Sequence, residues 1–216
     1  MIGSFYFTDG DPGRDGRLEA DPKAMNDAIA RAFDESIRAK RAFLNDNLTT
    51  LTQVILVIAD VFRRGNKLLL FGNGGSAADA QHMAAEFVNR FRIERPPLPA
   101  LALTTDSSAI TSIANDYSYT EVFAKQIKAL GKEGDIALAI STSGNAANVL
   151  TAVDFCRARK IVTVGLTGGT GGQLREKVDY LLQVSDSQNT ARIQETHILV
   201  AHVICEMVDG VLFPTT

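Results

Sequence analysis

The chain reads as an α/β protein: a three-layer sandwich with a five-stranded parallel sheet, prefaced by an N-terminal helical hairpin and closed by a long C-terminal helix. Three observations predict it. From Gly65 onward, short continuous apolar runs alternate with helix-like segments, as expected of strands buried on both faces. The six prolines fall at Pro12, Pro22, Pro96, Pro97, Pro99 and Pro214, so none interrupts regular structure between Ala100 and Phe213. The 216 residues, 45% apolar and 22% charged, suffice for one core and exclude a disordered or collagen-like chain.

In order along the chain, residues 1–20 are expected to be a disordered leader and residues 21–216 a single domain. Between Pro22 and Arg64, apolar residues recur at three- and four-residue spacing (Ile29, Phe33, Ile37, then Leu48, Leu51, Ile55, Ile58, Phe62). That spacing predicts two amphipathic helices broken around Asn45–Asn47. The stripes are extensive enough to predict an interface between subunits. Strands follow at Lys67–Phe71, Ala100–Leu103, Ile136–Ile140, Ile161–Leu166 and Tyr180–Val184. Helical segments lie at Ser76–Phe91, Ser107–Ala114, Val122–Leu130, Ala146–Arg159 and Gln173–Lys177, with a closing helix over Thr190–Val211. No internal repeat or linker divides the chain.

Charge and cysteine content narrow the function. Lys plus Arg number 22 against 25 Asp plus Glu, a net charge of −3, which leaves no basic surplus for nucleic acid. Apolar runs such as Leu68–Phe71 are too short to cross a membrane, and Asp9, Asp11 and Asp15 stand where a signal peptide would be basic and apolar. Cys156 and Cys205 alone make no disulfide framework, which suits a reducing cytoplasm.

In an open parallel sheet, ligands bind beyond the carboxyl ends of the strands. The first strand runs into Gly72-Asn73-Gly74-Gly75-Ser76 and the third into Ser141-Thr142-Ser143-Gly144-Asn145, each followed by a helix. Glycines let a ligand approach the backbone, helix N-termini bind anions, and the three hydroxyls add donors, so Ser141, Thr142 and Ser143 read as a phosphate cradle. The bland alternative is two well-capped turns, with Ser76 and Asp79 as a capping box. Gly72, Gly74 and Ala77 match a dinucleotide fingerprint, but the second strand ends near Asp106, 34 residues on, so that reading is set aside. Gly168–Gly172 is expected to be only a flexible turn.

The chain has three histidines. His82 and Glu86 share one face of a helix, and Gln194 and His202, eight apart on the last helix, lie within about 80° of each other. Two N/O pairs on two helices suit a four-coordinate divalent ion such as zinc. A histidine among Ala201, Val203 and Ile204 equally suits a core position, and His197 is read as structural.

The stretches GNGGSAADAQHMAAEFVNRF, ERPPLPALALTTD, SIANDYSYTEVFAKQIKALG, GDIALAISTSGNAANV and ARIQETH resemble bacterial phosphoheptose isomerases of the sugar-isomerase (SIS) domain family, over about Met25 to Pro214. The resemblance implies a cytoplasmic homotetramer, with active sites built from more than one subunit. Its reaction would convert sedoheptulose 7-phosphate to D-glycero-D-manno-heptose 7-phosphate, the first step toward lipopolysaccharide core heptose. It implies zinc ligands at His82, Glu86, Gln194 and His202, an acid/base pair at Glu86 and His202, and substrate contacts at Asn73, Gly74, Gly75, Asn115, Asp116, Ser141, Thr142, Ser143 and Gln194. Ser76 and Glu86 are counted with the substrate-binding set.

Two positions depart from the pattern: Ala146 where many members place a serine, and Ala191 where some carry an aspartate. The chain also resembles a tetrameric SIS adaptor that binds the replication initiator protein without catalysis, through its ERPxLPA, IAND and LFP stretches. That adaptor lacks the glutamate and last histidine present here as Glu86 and His202, which favours the enzyme. Ketose–aldose exchange through an enediol needs a base at carbon, for which Glu86 is the better candidate, and a shuttle at the oxygens, here His202.

Overall fold

The computed structural model describes residues 21–214, and the expected leader at 1–20 lies outside the described residues. The chain divides into two compact units: residues up to Glu35, described as the opening turns of the first helix, and Ser36 onward. That first helix is α1 (Pro22–Arg63). Then come β1 (Leu68–Gly72), α2 (Gly75–Val88), β2 (Ala100–Ala102), α3 (Ser107–Asp116), a 3-10 turn at Tyr119–Glu121 and α4 (Val122–Leu130). The second half holds β3 (Ile136–Ser141), α5 (Ala147–Ala158), β4 (Val162–Gly168), a 3-10 turn at Gly172–Glu176, β5 (Tyr180–Val184) and α6 (Thr190–Leu212). The five strands form one parallel sheet in the order β2-β1-β3-β4-β5.

The expected helical hairpin is corrected to a single unbroken helix of 42 residues. Between Lys23 and Arg63 the chain has neither Gly nor Pro to break a helix. Asn47, read as part of the break, has another task. Its amide donates to the Phe43 carbonyl one turn back (2.9 Å) and to the Gln183 carbonyl (3.1 Å), and its oxygen accepts the Gln183 N–H (3.0 Å). Asn47 thereby satisfies both backbone groups of Gln183 on the open edge of β5.

The apolar stripe of α1 splits between two roles. Leu51, Ile55, Ile58 and Phe62 are buried in the core, whereas Ile29, Phe33, Ile37 and Leu48 are exposed together with Met25, Leu44 and Leu56. Only the exposed set remains for an interface. By length and hydropathy alone, α1 also contains an 18-residue window apolar enough to span a membrane, a feature that the short-run reading of the sequence missed.

Alternation along the strands builds the three layers. From β1 and β3, Leu68, Leu70, Ile136, Leu138 and Ile140 face α1, α2 and α6, meeting Ile58, Met83, Phe87, Val200 and Ile204. Leu69, Phe71, Ala137 and Ala139 face the other way, onto Phe123, Ile127, Val149 and Val153 of α4 and α5. Burying each large side chain contributes about 2 kcal/mol, so both sheet faces are firmly fixed.

Candidate functional site

The chain winds from β1 outward to β2 and then returns to β3 on the other side of β1. A crevice therefore opens beyond the carboxyl ends of β1 and β3, where the two conspicuous loops lie. In the first loop Gly74 takes φ +54°, and α2 begins at Gly75 without a side-chain cap. Ser76 is buried and Asp79 does not close a capping box with it. At the start of α2 the Ser76 N–H donates to the Asn73 carbonyl (3.0 Å) and the Ala77 N–H to the Gly74 carbonyl (3.0 Å), so the loop takes up these amide groups itself.

Asn73 and Asn148 form a reciprocal amide pair across the crevice, each Nδ2 donating to the other's Oδ1 at 2.9 Å. Tyr119 Oη also donates to Asn73 Oδ1, at 3.1 Å.

In the second loop, Ser141 ends β3 and is buried, Thr142 is half-buried and Ser143 is exposed. Ser143 Oγ accepts the Asn145 N–H at 3.2 Å. Ala146 occupies the N-cap of α5 and offers no side-chain bond, which leaves the anion-seeking end of that helix uncapped. A polar cavity of about 270 Å³ lies between Thr142, Ser143 and Asn145 on one wall and Thr170, Gln188 and Thr190 on the other.

The glycine cluster that follows β4, read from sequence as a flexible turn, is instead the buttress of this loop. The Gly168 N–H donates to Thr142 O (3.1 Å), the Leu174 N–H to Gly144 O (3.0 Å) and the Gln173 N–H to Asn145 Oδ1 (3.0 Å). Gly144, at φ +66°, packs so closely on Gly171 that a Cβ would overlap the Gly171 carbonyl.

The histidine pair comes together between α2 and α6. His82 Nε2 lies 2.8 Å from His202 Nε2 and 3.4 Å from Glu86 Oε1. One imidazole donates while the other accepts, and Glu86 stands beside His82 to receive a proton or compensate charge. Phe91 stacks on the His202 ring at 5.4 Å between centroids. Nearby, the Arg95 guanidinium donates to the carbonyls of Glu86 (2.8 Å) and Phe87 (2.6 Å) and to Asp209 Oδ1 (2.9 Å). Arg95 and Asp209 are both buried, and their pair ties the last turn of α2 to α6. Burial pushes the Asp79 carboxyl up, with His82 opposing the shift.

The structure does not bring every expected residue to this cluster. Gln194 lies over Gly75, where a Cβ would meet its amide. At about 1.5 Å per residue, that is roughly 10 Å along α2 from His82. Asn115 and Asp116 are exposed at the end of α3, with Asn115 Nδ2 donating to Asp116 Oδ1 at 2.9 Å. Among the described residues, no group of three or more His, Cys, Asp or Glu is arranged to hold a metal ion. The chemistry of His82, Glu86 and His202 nevertheless suits a divalent ion. Their 2.8 Å nitrogen contact is a hydrogen-bond distance, and two nitrogens on a tetrahedral zinc stand about 3.3 Å apart, so the rings need to part only slightly. His197 is structural as expected: it is buried, and its Nε2 meets the Thr167 carbonyl at 3.2 Å.

Asn148, Tyr119, Phe91, Arg95 and Asp209 were not singled out from sequence. For Arg95 a signal was available, in an arginine directly before the Pro-rich loop that follows α2.

Comparison with known proteins places this geometry. The SIS domain profile matches residues 32–168. A phosphoheptose isomerase of Thermodesulfovibrio yellowstonii is 50% identical over 189 residues, 88% of this chain and 94% of its own length. One from a Roseiflexus species is 54% identical over 181 residues, covering 84% of this chain and 91% of its own. Among solved structures, a phosphoheptose isomerase from Neisseria gonorrhoeae superposes with a TM-score of 0.81 at 43% identity, over 86% of this chain and 99% of that one. Another, from Francisella tularensis, gives 0.83 at 40% identity, over 86% of this chain and 98% of that one.

Proposed function

The chain belongs to the SIS-domain family, among the phosphoheptose isomerases, and from that premise we propose that it interconverts sedoheptulose 7-phosphate and D-glycero-D-manno-heptose 7-phosphate. The observation that carries the reading is the meeting of Glu86 and His82, on the helix that opens from the first loop, with His202, while the second loop ends at an uncapped, hydroxyl-lined helix terminus. A phosphate held at Ser141, Thr142 and Ser143 fixes one end of the sugar and turns binding energy into positioning. Asn73, Gly74 and Gly75 then face the sugar across the crevice, with Gln194 over Gly75 as a polar contact, while Ser76 is buried and holds the loop through its N–H to the Asn73 carbonyl.

Glu86 removes the carbon-bound proton and returns it at the neighbouring carbon. His202 moves the proton between the two oxygens, with its ring orientation set by Phe91 and by the bond to His82. Backbone amide groups of the glycine loop are suited to the negative charge of the enediolate.

A divalent ion, zinc by its donor chemistry, would be held by His82, Glu86 and His202; Gln194, the fourth donor implied by the family, lies over Gly75 and would have to move to reach it. When bound it supplies Lewis-acid polarisation of the sugar oxygens. We further assign a homotetramer, because Ile29, Phe33, Ile37 and Leu48 leave an uncovered apolar stripe. Asn115 and Asp116 would then serve a site completed by another subunit. Free, buried Cys156 and Cys205 agree with a cytoplasmic setting. Incubation of the purified protein with sedoheptulose 7-phosphate, with and without chelator, tests the reading; absence of any aldose phosphate under both conditions overturns it.

A further inference from the structure

We propose that Asn148 and Tyr119 are positioning residues for the phosphosugar site, acting through Asn73 by fixing which edge of its amide meets the ligand. The proposal rests on the isomerase reading of the crevice and deepens it. An asparagine amide has two acceptor lone pairs and two N–H donors. In Asn73 both acceptor positions are taken, one by Asn148 Nδ2 at 2.9 Å and one by Tyr119 Oη at 3.1 Å. One of the two donors is taken as well, by Asn148 Oδ1 at 2.9 Å. What remains to Asn73 is a single N–H. Held this way, the residue is a donor and not an acceptor, suited to a hydroxyl, carbonyl or enediolate oxygen of the sugar.

The same bonds do a second thing. Asn73 belongs to the loop after β1, and Asn148 to the first turn of α5, the helix that opens from the hydroxyl loop. Asn148 is only 3% exposed, so its amide has no water to turn to and is committed to Asn73. The reciprocal pair therefore sets the spacing between the two loops, the one facing the sugar and the one facing the phosphate. Tyr119 comes from a third segment and is 56% exposed, so its ring contributes little to the core while its hydroxyl closes the network. This difference in burial lets Tyr119→Phe test the idea without threatening the fold.

The test is a double-mutant cycle, which isolates coupling between residues in contact. Tyr119→Phe removes one oxygen and keeps the ring. It is expected to lower kcat/KM for sedoheptulose 7-phosphate about fivefold, the equivalent of one neutral hydrogen bond. In an Asn73→Ala background the same change is expected to do almost nothing, less than about 1.5-fold, because the residue through which it acts is gone. Asn148→Asp keeps the size and one of the two bonds, but sets a carboxylate oxygen against Asn73 Oδ1. It is expected to cost more than Tyr119→Phe in the native background and to lose most of that cost in Asn73→Ala.

Each arm is repeated as a dissociation constant for sedoheptulose 7-phosphate by calorimetry, so that weak turnover in the Asn73→Ala enzyme does not blind the cycle. Thermal melts check folding. Equal losses in both backgrounds would assign Tyr119 and Asn148 an independent or purely structural role and overturn the proposal, as would a Tyr119→Phe enzyme with unchanged kcat/KM and affinity. A wild type that binds the sugar phosphate without isomerising it would remove the isomerase reading, while the cycle in affinities still decides this one. A wild type that does neither removes both.

Discussion

Acidification probes the interior of this protein without any ligand. His197 sits on α6 with no solvent exposure, and burial lowers its pKa to about 4, against a smaller upward pull from the Thr167 carbonyl. Its Nε2 meets that carbonyl, while Nδ1 finds no partner among the described residues. A second proton would therefore go onto a buried nitrogen with nothing to receive its hydrogen bond. In the unfolded chain the same imidazole takes up its proton near the ordinary value of about 6.5. Between those two values the unfolded state binds more protons than the folded one, so stability falls as pH falls through the window from about 6.5 to about 4. The gap corresponds to about 3 kcal/mol, present in full at pH 7 and lost by pH 4. Urea unfolding at fixed protein concentration, at several pH values from 7 to 4, measures it. Carboxylates add their own acid sensitivity, so the informative quantity is the difference from His197→Gln, which keeps a donor toward Thr167 O but does not titrate. The wild-type curve is expected to drop more steeply across the window by about 3 kcal/mol. Parallel curves would refute the reasoning and show that the imidazole stays neutral, or is charged, equally in both states.

Replacing Glu86 with Gln removes the proposed base at constant size, and steady-state kinetics are expected to show a loss in kcat of about a hundredfold or more with the fold intact; retention of a tenth of wild-type kcat would remove Glu86 from that role. Gly144→Ala forces a left-handed φ and an overlap with the Gly171 carbonyl, so thermal unfolding is expected to show a loss of more than about 2 kcal/mol together with weaker phosphate protection. Zinc at a hundredfold excess over its Kd is expected to raise stability by about 2.7 kcal/mol at pH 8, less at pH 5.5, and not at all in the His82→Ala, His202→Ala double variant. Persistence of the full zinc effect in that variant would place the ion elsewhere. Light scattering is expected to give a tetramer, and Phe33→Asp, on the exposed stripe of α1, to weaken it; a monomeric wild type with full activity would exclude the assembly.

Some of this was legible in sequence because the physics that determines it is local. The strands of the sheet are continuous apolar runs whose ends the structure moves by a residue or two, and Val122–Leu130 is the observed helix to the residue. The two loops of the candidate site stood out because glycines and clustered hydroxyls directly after a buried strand have few structural uses. The unbroken α1 was hidden because Asn47 looks like a helix breaker by propensity, yet its amide is needed 136 residues away in sequence, at the edge of β5. Propensity could not weigh that long-range bond against the local one. Gly171 and Gly172 misled in a related way: glycine signals freedom when read alone, and close backbone approach when another backbone lies against it.

The site shows the same division between local pattern and long-range pairing. Helical spacing placed His82 beside Glu86, since both lie on one element. The meeting of His82 with His202 spans 120 residues and depends on how α2 and α6 are held together. Arg95 is central to that: by binding the Glu86 and Phe87 carbonyls and Asp209 at once, it fixes the turn that carries Glu86 against the helix that carries His202. Its charge is buried, so it is stable only with those partners present, and removing either Arg95 or Asp209 leaves an uncompensated group inside the protein. The proposed acid/base groups thus owe their proximity to a brace that grips the Glu86 carbonyl and Asp209, about two helical turns beyond His202, while the proposed phosphate end owes its shape to the glycine buttress after β4. Between the two ends stands the Asn73–Asn148 pair, the direct side-chain bridge from one loop to the other. A substrate that spans both loops therefore meets them at a separation already set by the protein, and little of its binding energy is needed to assemble the site.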